Sequence, residues 1–331
     1  MTTKSIIFAN PLPQSRRSDI LEWRFPKPYQ NYVLTGRSKA AWHTSFVIPQ
    51  LNLLLDAGLC VNKLRPKHVF LTHGHSDHTL LAPAFGTRQD PPDVYCPIEM
   101  ASAFTAFCHA RTILNLGGLV TEDSFDGASG EDTDDGVGGA RGGGGGERTG
   151  ILDTHITHGI SAGDTVPLRR THNITAQAFA CDHTVPCLGF VFQQTTPKLK
   201  PEYKSLTGAQ LRDLREKQGM SITADVTVPI FAFLGDTTTA PLEAEPEWLR
   251  QGIPVVITEC SFLYEEHAAQ ATKTKHTCWT ELEKVVRKWP KTTFVLIHFS
   301  LRYSEEEIRK FFKAMSDPPL NVVVWADGEG E

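Results

Sequence analysis

Hydrophobic residues in this chain occur in short continuous runs, separated by stretches in which apolar residues recur at helical spacing. Runs of about four to eight residues rich in Val, Ile, Leu and Phe are typical of buried strands. We assign such strands to residues 31–34, 44–48, 51–56, 68–71, 154–157, 174–179, 184–192, 229–234, 253–258, 293–297 and 320–325. Helical spacing predicts helices over residues 98–115, 208–218, 279–289 and 305–315. Strands that alternate with helices predict an α/β fold.

The assigned strands and helices begin at residue 31, and this defines the expected domain organisation. Residues 1–30 are rich in Pro and charged residues, and we expect them to wrap the surface as an N-terminal segment before the core begins. Residues 31–331 are expected to form one domain. Within it, residues at about 126–150 are rich in Gly and Asp and cannot bury a core, so we expect a mobile, disordered insert. The glycines at 142–146 do not form a phosphate-binding loop, because no Lys followed by Ser or Thr comes after them.

Composition narrows the class of protein. The chain has 331 residues, of which 40% are hydrophobic and 21% are charged, as in globular proteins. Its seven cysteines are odd in number and never spaced as CxxC. We therefore expect reduced thiols and an intracellular location, cytoplasmic or nuclear, with a mitochondrial one left open. The N-terminus lacks the apolar core of a secretory signal, and no run approaches the roughly 20 apolar residues of a membrane span.

The net charge of −5 at first argues against a nucleic-acid partner. However, residues 122–150 contain eight acidic and two basic residues, which leaves the rest of the chain at +1. A nearly neutral body that also binds divalent metals is compatible with a polyanionic substrate, although not with broad non-specific binding to nucleic acid.

The richest candidate chemistry follows the strand at residues 68–71. Four ligand-type side chains fall within six residues of the sequence: His73, His75, Asp77 and His78. Neutral imidazole and carboxylate are ligands that Zn²⁺ prefers, whereas the alkaline-earth ions do not choose imidazole. One tetrahedral ion does not need four ligands from a single strand end, so this number of groups predicts two metals. The alternative is a chance His-rich turn.

Later strands also end in residues of ligand type, namely His183, Asp236, Glu259 and His298. Because the carboxyl ends of strands meet at one edge of an α/β sheet, these residues predict a common site there. Asp236 has two carboxylate oxygens with which to bridge two metals. Taken alone, His183 would be interpreted as a structural histidine. Asp56 is either an ordinary turn residue or a carboxylate that fixes the tautomer of a ligand imidazole.

The His-x-His-x-Asp-His motif after a hydrophobic strand resembles the signature of the metallo-β-lactamase superfamily. That resemblance implies an αββα sandwich with one or two metals at the sheet edge. Four further features together resemble the ribonuclease Z family, which comprises the tRNA 3′-processing endonucleases, in its short plant-like form. They are Asp182-His183, the string at 234–237, His276-Thr277 and the His-Phe-Ser-x-Arg-Tyr string at 298–303. The resemblance extends over most of residues 31–325.

The resemblance to the ribonuclease Z family implies a complete metal site in each subunit. One Zn²⁺ would be bound by His73, His75 and His183, a second by Asp77, His78 and His298, and both by Asp236. Mn²⁺ is the alternative metal. A hydroxide between the two metals would attack the scissile phosphorus.

The resemblance also implies groups for proton transfer and substrate binding. His276 would donate a proton to the leaving oxygen and would be oriented by Glu259, with His267 as a weaker rival for the donor. Asp77 is a further candidate for handling the proton of the attacking water. Arg302 would contact a phosphate, unless it is a structural arginine. The implied products are a tRNA with a free 3′-hydroxyl and a trailer with a 5′-phosphate, and the implied assembly is a homodimer.

One family feature is not evident in the sequence, the long arm rich in Gly and Pro that docks the tRNA elbow. A basic segment at residues 198–219 takes its place, where Lys198 and Lys200 are candidates for substrate binding. The alternative is a solvated helix with charge pairs. We therefore expect a zinc-dependent endoribonuclease that removes the 3′ trailer from precursor tRNA. The alternatives are a dinuclear zinc phosphodiesterase of the same superfamily with another substrate, and a non-enzymatic scaffold.

Overall fold

The computed structural model describes residues 6–12, 20–61, 65–118, 150–169, 171 and 173–327. The insert expected at about 126–150 lies outside these residues except for Gly150. The described residues form fifteen strands: β1 (Ile7–Pro11), β2 (Leu21–Arg24), β3 (Val33–Lys39), β4 (His43–Ile48), β5 (Leu53–Leu55), β6 (His68–Phe70), β7 (Asp93–Pro97), β8 (Ile156–Ile160), β9 (Thr165–Pro167), β10 (Ile174–Ala180), β11 (Leu188–Leu199), β12 (Thr223–Phe233), β13 (Val255–Glu259), β14 (Thr293–Ile297) and β15 (Val322–Asp327).

Eight α-helices occur in the same part of the chain: α1 (Ser76–Thr79), α2 (Ile98–Asn115), α3 (Gly208–Glu216), α4 (Ala240–Glu243), α5 (Glu247–Arg250), α6 (Ala268–Thr274), α7 (Trp279–Lys288) and α8 (Glu305–Lys313). Single 3₁₀ turns are found at Pro49–Leu51, Ala82–Phe85, Pro201–Tyr203 and Glu265–His267. The start of α8 is fixed by a capping box in which Ser304 Oγ accepts from the Glu307 N–H and Glu307 Oε2 accepts from the Ser304 N–H.

The strands are hydrogen-bonded in the order β8-β7-β6-β5-β4-β3-β2-β1-β15-β14-β13-β12-β11-β10-β9. β1 joins two half-sheets, because it pairs with β2 on one side and with β15 on the other. Strands β5 to β8 run parallel in one half-sheet, and β12 to β15 run parallel in the other. Parallel neighbours end at the same edge of a sheet, so the loops that follow these strands are placed to share one site.

The two half-sheets pack face to face through aromatic side chains. Phe70 lies 4.9 Å from Phe190 between ring centroids, and Phe46 lies 5.0 Å from Trp325. A second buried cluster, which includes Trp279 on α7, lies between the helices and the outer face of the half-sheet that contains β12 to β15. α2 packs on the other outer face through Phe104 and Cys108. These layers form the predicted αββα sandwich, and the prediction of the fold class is confirmed.

The expectation that residues 1–30 wrap the surface before the core begins is wrong for the part that the structure describes. β1 and β2 are integral strands of the sheet. Ala9, Trp23 and Phe25 belong to the core between the half-sheets. The sequence conceals this because prolines and charges surround two strands of only four and five residues, which leaves no run long enough to stand out.

Several predicted elements lie where the pattern placed them. The helix at 98–115 and the strand at 293–297 have the predicted bounds. The strand expected at 154–157 begins two residues later and runs to Ile160. β7 was not predicted, because its five buried residues begin with Asp and end with Pro, which are unusual in strands.

The basic segment expected at residues 198–219 in place of the long arm lies within an extension of the sheet. The outer parts of β11 and β12, residues 196–199 and 223–226, pair with each other and with no other described strand. This two-stranded extension leads to a 3₁₀ turn and to α3, so residues 196–226 form an arm that projects from the sheet. The strands were not recognised because their outer halves are exposed and rich in Thr, which removes the hydrophobic run that marks a buried strand.

Candidate metal centre

The loop after β6 is held in place by a buried carboxylate from the end of β5. Asp56 Oδ1 accepts a hydrogen bond of 2.8 Å from the Thr72 N–H, and Thr72 Oγ1 donates to both carboxylate oxygens. Asp56 Oδ2 lies 2.7 Å from His78 Nδ1. Because a carboxylate accepts here, the proton belongs on Nδ1, and His78 Nε2 faces the interior of the site with its lone pair.

The first group of donors collects three histidines around one carboxylate. His73 Nε2 lies 3.0 Å from His75 Nδ1, which in turn lies 3.3 Å from His183 Nε2. Asp236 Oδ2 lies 3.8 Å from His73 Nε2. One ligand atom from each of these four residues lies within 4.8 Å of all the others. The β6 loop, the β10–β11 turn and the end of β12 thus supply a donor set of the size that a tetrahedral ion needs.

A second group adjoins the first and shares its carboxylate. His78 Nε2 lies 3.4 Å from His298 Nε2, and both nitrogens lie 3.3 Å from Asp236 Oδ1. Asp77 Oδ2 lies 3.4 Å from His298 Nε2. The structure therefore brings together all seven residues predicted as metal ligands, with Asp236 common to both groups.

The close approach of Asp236 to the loop after β6 depends on the glycine that precedes it. Gly235 has φ +66°, in the left-handed region, and a Cβ on it would lie 2.7 Å from the Thr72 side chain. Only glycine avoids both the conformational cost and the collision. The Gly-Asp dipeptide at the end of β12 is thus a requirement of the contact between two strand ends.

The orientation of the imidazoles fits a bound cation. In four of the five rings, the nitrogen that points away from the site has an oxygen partner: Thr72 Oγ1 for His73, Asp56 for His78, the Lys275 carbonyl for His183 and Ser261 Oγ for His298. The inward nitrogens of these four rings consequently face the site as lone pairs. Asp236 Oδ1 is buried among them and accepts no hydrogen bond from a described residue. Converging lone pairs with no donor between them are what a divalent cation satisfies.

The electrostatics of the cluster reflect the same crowding. Burial lowers the pKa of His73 well below its usual range, and the neighbouring His78 adds to that effect. Burial opposes ionisation of Asp236, but His298 and His78 outweigh it and hold the carboxyl pKa well below its usual range. Burial likewise opposes protonation of His78, yet Asp236 and Asp56 raise its pKa well above the ordinary value, so a metal that binds Nε2 would displace a proton from it. Asp236 therefore enters the site as an anion.

A third group stands beside the second. Glu259 is fully buried, and its Oε1 lies 2.8 Å from His276 Nδ1 and accepts from the Thr237 N–H at 2.7 Å. Its Oε2 accepts from the Thr277 N–H and from Ser261 Oγ, the latter at 2.5 Å. Burial disfavours the imidazolium of His276, but Glu259 overrides that effect and raises the His276 pKa to about 9. The pair holds a protonated imidazole at the edge of the site.

The other candidates lie outside these groups. Arg302 donates to Gln270 Oε1 at 2.8 Å, and its guanidinium carbon lies 5.1 Å above the Phe262 ring. His267 Nδ1 lies 2.6 Å from the Tyr303 hydroxyl and belongs to none of the donor groups found among the described residues. Lys198 and Lys200 are on the arm, at and just beyond the end of β11.

Sequence reasoning missed three residues that support the site. Thr72 and Ser261 hold the outer nitrogens of His73 and His298, and the Lys275 carbonyl holds that of His183. Hydroxyl and backbone oxygens carry no sequence signal of their own. Their position next to predicted ligands is the only clue, since Thr72 precedes His73 and Lys275 precedes His276.

A sequence model of the metallo-beta-lactamase superfamily matches residues 59–215 of this chain. The match covers just under half of the chain and shows a similarity to that superfamily. Together with the donor groups around Asp236, this similarity indicates a divalent metal site. Among the described residues, no helix is both long and apolar enough to cross a membrane.

Known relatives resemble the chain along most of its length. It is 25% identical to the chloroplastic tRNase Z TRZ2 of Arabidopsis thaliana over 320 residues, which cover 90% of this chain and 76% of the relative. It is 24% identical to tRNase Z TRZ1 of the same plant, over 91% of this chain and 96% of the relative. The crystal structure of human tRNase Z, short form, matches with a TM-score of 0.48 and 15% identity over 88% of this chain and 95% of that one.

Proposed function

We propose that this protein is a metal-dependent endoribonuclease that removes the 3′ trailer from precursor tRNA. The observation that carries the proposal is the shared carboxylate of Asp236, which joins two donor groups that could each hold a metal ion, next to the His276–Glu259 pair. This combination provides both electrophilic assistance and a proton donor for phosphodiester hydrolysis. The named tRNase Z relatives, which align with 90% and 91% of the chain, support RNA of the tRNA type as the substrate.

We propose two Zn²⁺ ions per subunit, with Mn²⁺ as the alternative. The first would be held by His73, His75 and His183, the second by Asp77, His78 and His298, and Asp236 would contact both. Bound divalent cations lower the pKa of water and neutralise charge on the phosphoryl oxygens. Mixed imidazole and carboxylate ligands favour Zn²⁺ over Mg²⁺ or Ca²⁺.

His276 is the proposed general acid. Its Nδ1 is engaged by Glu259, so its Nε2 is the atom that donates a proton to the leaving 3′-oxygen. Glu259 acts as a positioning residue, fixed by the N–H groups of Thr237 and Thr277. Asp77 is less buried than His78 and His298, which lie next to it, and is the candidate for accepting the proton of the attacking water. The expected products are a tRNA with a 3′-hydroxyl and a trailer with a 5′-phosphate.

The arm at residues 196–226 is the proposed docking element for tRNA. In the described part of the chain, Lys198, Lys200 and Arg212 form no ion pair, whereas Lys217 and Arg215 pair with Asp213 and Glu216. Unpaired cations on an exposed extension are available to phosphates. Arg302, held by Gln270 and Phe262 beside the site, is proposed as a further phosphate contact.

We also propose a homodimer and an intracellular location. α2 buries Phe104 and Cys108 but leaves Ile98, Phe107 and Leu114 exposed, which supports a second apolar contact. The seven cysteines form no disulfide, which supports a reducing compartment. Light scattering of purified protein tests the dimer, and a monomer at micromolar concentration would contradict it.

The test of the function is cleavage of a 3′-extended precursor tRNA by the zinc-loaded protein, beside a chromogenic phosphodiester and a His78→Ala variant. We expect one cut that leaves a 3′-hydroxyl on the tRNA and a 5′-phosphate on the trailer, and no cut by the variant. Hydrolysis of the diester with the precursor tRNA left intact would overturn the proposal in favour of another phosphodiesterase of the superfamily. A protein that binds no metal and cleaves neither substrate would mean a scaffold without chemistry.

A further inference from the structure

A groove of about 550 Å³ opens beside the metal centre, on the side of His183. Its walls include the apolar side chains of Ile160, Val185 and Pro186, and Lys275 lies at its edge. This volume is within the range of about 300–1,000 Å³ that small-molecule sites occupy, so the groove has room for one nucleotide. Apart from His183 and the backbone carbonyl of Lys275, no residue of the groove has a role in the site described above.

Lys275 has an unusual backbone conformation for its residue type. It follows α6 with φ 53° and ψ 50°, in the left-handed region that favours glycine. A bulky side chain is costly in this conformation, and residues held in such conformations cluster at functional sites. The Lys275 carbonyl accepts from His183 Nδ1 at 3.2 Å, and the next residue is His276. The lysine therefore stands between the first donor group and the proton donor.

The ammonium group of Lys275 is held over the groove by Asp182. Nζ donates to Asp182 Oδ1 at 2.9 Å, and Asp182 Oδ2 accepts from Thr238 Oγ1 at 2.9 Å. The Lys275 side chain is nevertheless 45% exposed, so its charge remains accessible. Glu99 is the other acidic residue that lines the groove, and it forms no ion pair with a described residue. An anionic group that enters the groove meets one accessible cation, at its border with the metal centre.

We propose that Lys275 binds the backbone phosphate next to the scissile one, and that the groove accommodates the nucleotide attached to that phosphate. The inference rests on the proposed function. An RNA strand whose scissile phosphate lies among His183, Asp236 and His78 must pass its neighbouring phosphate over the adjoining surface. On the His183 side, that surface is the groove. The apolar walls contact the base or ribose, and Lys275 supplies a point charge for the phosphate.

The competing explanation is a structural latch, in which the Lys275–Asp182 pair merely holds the loops of His183 and His276 together. The salt dependence of RNA cleavage separates the two roles. A lost phosphate contact reduces the slope of log(kcat/KM) against log[KCl] by about 0.7 for a single strand. Loss of a latch lowers kcat/KM at every salt concentration and leaves the slope unchanged. Dividing kcat/KM for the RNA by kcat/KM for a chromogenic diester corrects for any effect of the substitution on the metal centre.

The decisive variant is Lys275→Gly, because glycine suits the left-handed backbone and removes the side chain without strain. For the zinc-loaded full-length enzyme with precursor tRNA, we expect the salt slope to decrease by about 0.7, and the normalised kcat/KM at low salt to fall about tenfold. Lys275→Arg should restore the slope. Lys273→Ala, which removes an equal charge from the exposed face of α6, should keep the wild-type slope.

Asp182→Asn provides the second comparison, because it breaks the ion pair but keeps the cation. We expect it to retain the wild-type salt slope. The inference is overturned if Lys275→Gly keeps that slope, or if both variants lose activity to the same extent with no change of slope. A wild-type protein that does not cleave precursor tRNA would instead refute the proposed function, and this inference with it, so the two failures are distinguishable.

Discussion

Asp56 Oδ2 and His78 Nδ1 are 2.7 Å apart, and neither side chain is accessible to solvent. The contact links the end of β5 to the loop after β6. It fixes the tautomer of His78, and its cost is a buried aspartate at φ +52°. Burial raises the pKa of Asp56, whereas His78 and Thr72 lower it, so the carboxylate depends on these partners for its charge.

We expect Asp56→Asn to weaken metal binding by about 10- to 100-fold, because an amide no longer enforces the His78 tautomer that presents Nε2 to the metal. Competition for Zn²⁺ against a chromogenic chelator measures this loss directly. The matched control is Asp93→Asn, which alters a remote carboxylate that lies 2.8 Å from His158 Nε2. Equal zinc affinity of the wild-type protein and Asp56→Asn would show that the contact does not tune the site.

The His276–Glu259 pair leads to a prediction about pH. Glu259 raises the pKa of His276 to about 9 against the opposing effect of burial. If protonated His276 is the acid, activity is lost as pH rises through this pKa. Glu259→Gln removes the charge that raises the pKa, so the alkaline limb of the kcat/KM profile should move to lower pH.

The pH profile of precursor tRNA cleavage, with zinc saturating at each pH, checks this expectation. Glu283→Gln on α7 is a suitable control, since it alters a partly exposed carboxylate that pairs with Arg287. An alkaline limb at the same pH in Glu259→Gln and in the wild-type protein would remove His276 from the role of acid. A limb that moves to higher pH would also contradict the proposed pairing.

Gly235→Ala should be strongly destabilising. The substitution places a Cβ 2.7 Å from Thr72 and requires an alanine at φ +66°. The conformational cost alone is about 1–2 kcal/mol, and the collision adds to it because Thr72 is fixed by Asp56. Gly252→Ala is the matched control, since Gly252 has φ +79° with no atom within 4 Å of the added Cβ.

Urea unfolding of both glycine variants, with and without zinc, tests this expectation. Gly252→Ala should lower the free energy of unfolding by the conformational cost alone, about 1–2 kcal/mol. Gly235→Ala should lose more and should also bind zinc more weakly. Equal losses in the two variants would mean that the end of β12 adjusts without strain.

The sequence predicts the candidate metal ligands of this site but not the hydroxyl groups that support them. The ligands were found because strand ends are visible in the hydrophobic pattern, and His298 and Asp236 each follow an apolar run. Ser261 was not found, because its contact with His298 Nδ1 joins β13 to β14 and depends on their parallel register. A hydroxyl at such a position has no sequence signature.

The fold was predictable to a similar extent, and for the same reason. Buried strands with an uninterrupted apolar run, such as β14, are recognisable from composition. β1 and β2 are not recognisable in this way, because they are short and flanked by prolines and charges. The strands of the arm were missed because they are exposed, and at the base of the arm the cross-strand pairs are polar, as in the 2.8 Å contact of Thr195 Oγ1 with Thr227 Oγ1. Periodicity of hydrophobic residues detects burial, and an exposed two-stranded arm buries little.

The cysteine side chains differ in exposure, which leads to a prediction about their reactivity. Burial raises the pKa of Cys96 and Cys108 to about 12, which suppresses their thiolate forms. Cys60 is exposed, and Cys181 is partly buried. We expect one thiol to react rapidly with a disulfide reagent in the native protein, and Cys60→Ser to abolish that phase. Persistence of the rapid phase in the variant would show that another cysteine is more accessible than the structure indicates.

The arm is the part of the molecule on which the choice of substrate depends. Leu199 and Thr223 are cross-strand partners, so replacement of residues 200–222 by Asn-Gly closes β11 and β12 with a two-residue turn and removes α3. We expect the ratio of kcat/KM for precursor tRNA to kcat/KM for a chromogenic diester to fall at least tenfold, because the replacement removes Lys200 and Arg212 together with the part of the arm that presents them to the RNA.

Charge reversal separates the electrostatic part of this effect from the shape of the arm. Lys198→Glu combined with Lys200→Glu keeps the arm intact, and it should lower the same ratio and flatten its dependence on salt. Lys284→Glu combined with Lys291→Glu, on α7 and the turn that follows it, reverses the same number of charges elsewhere and serves as the control. If both double variants reduce the ratio equally, the arm has no specific role, and tRNA is recruited by net charge alone.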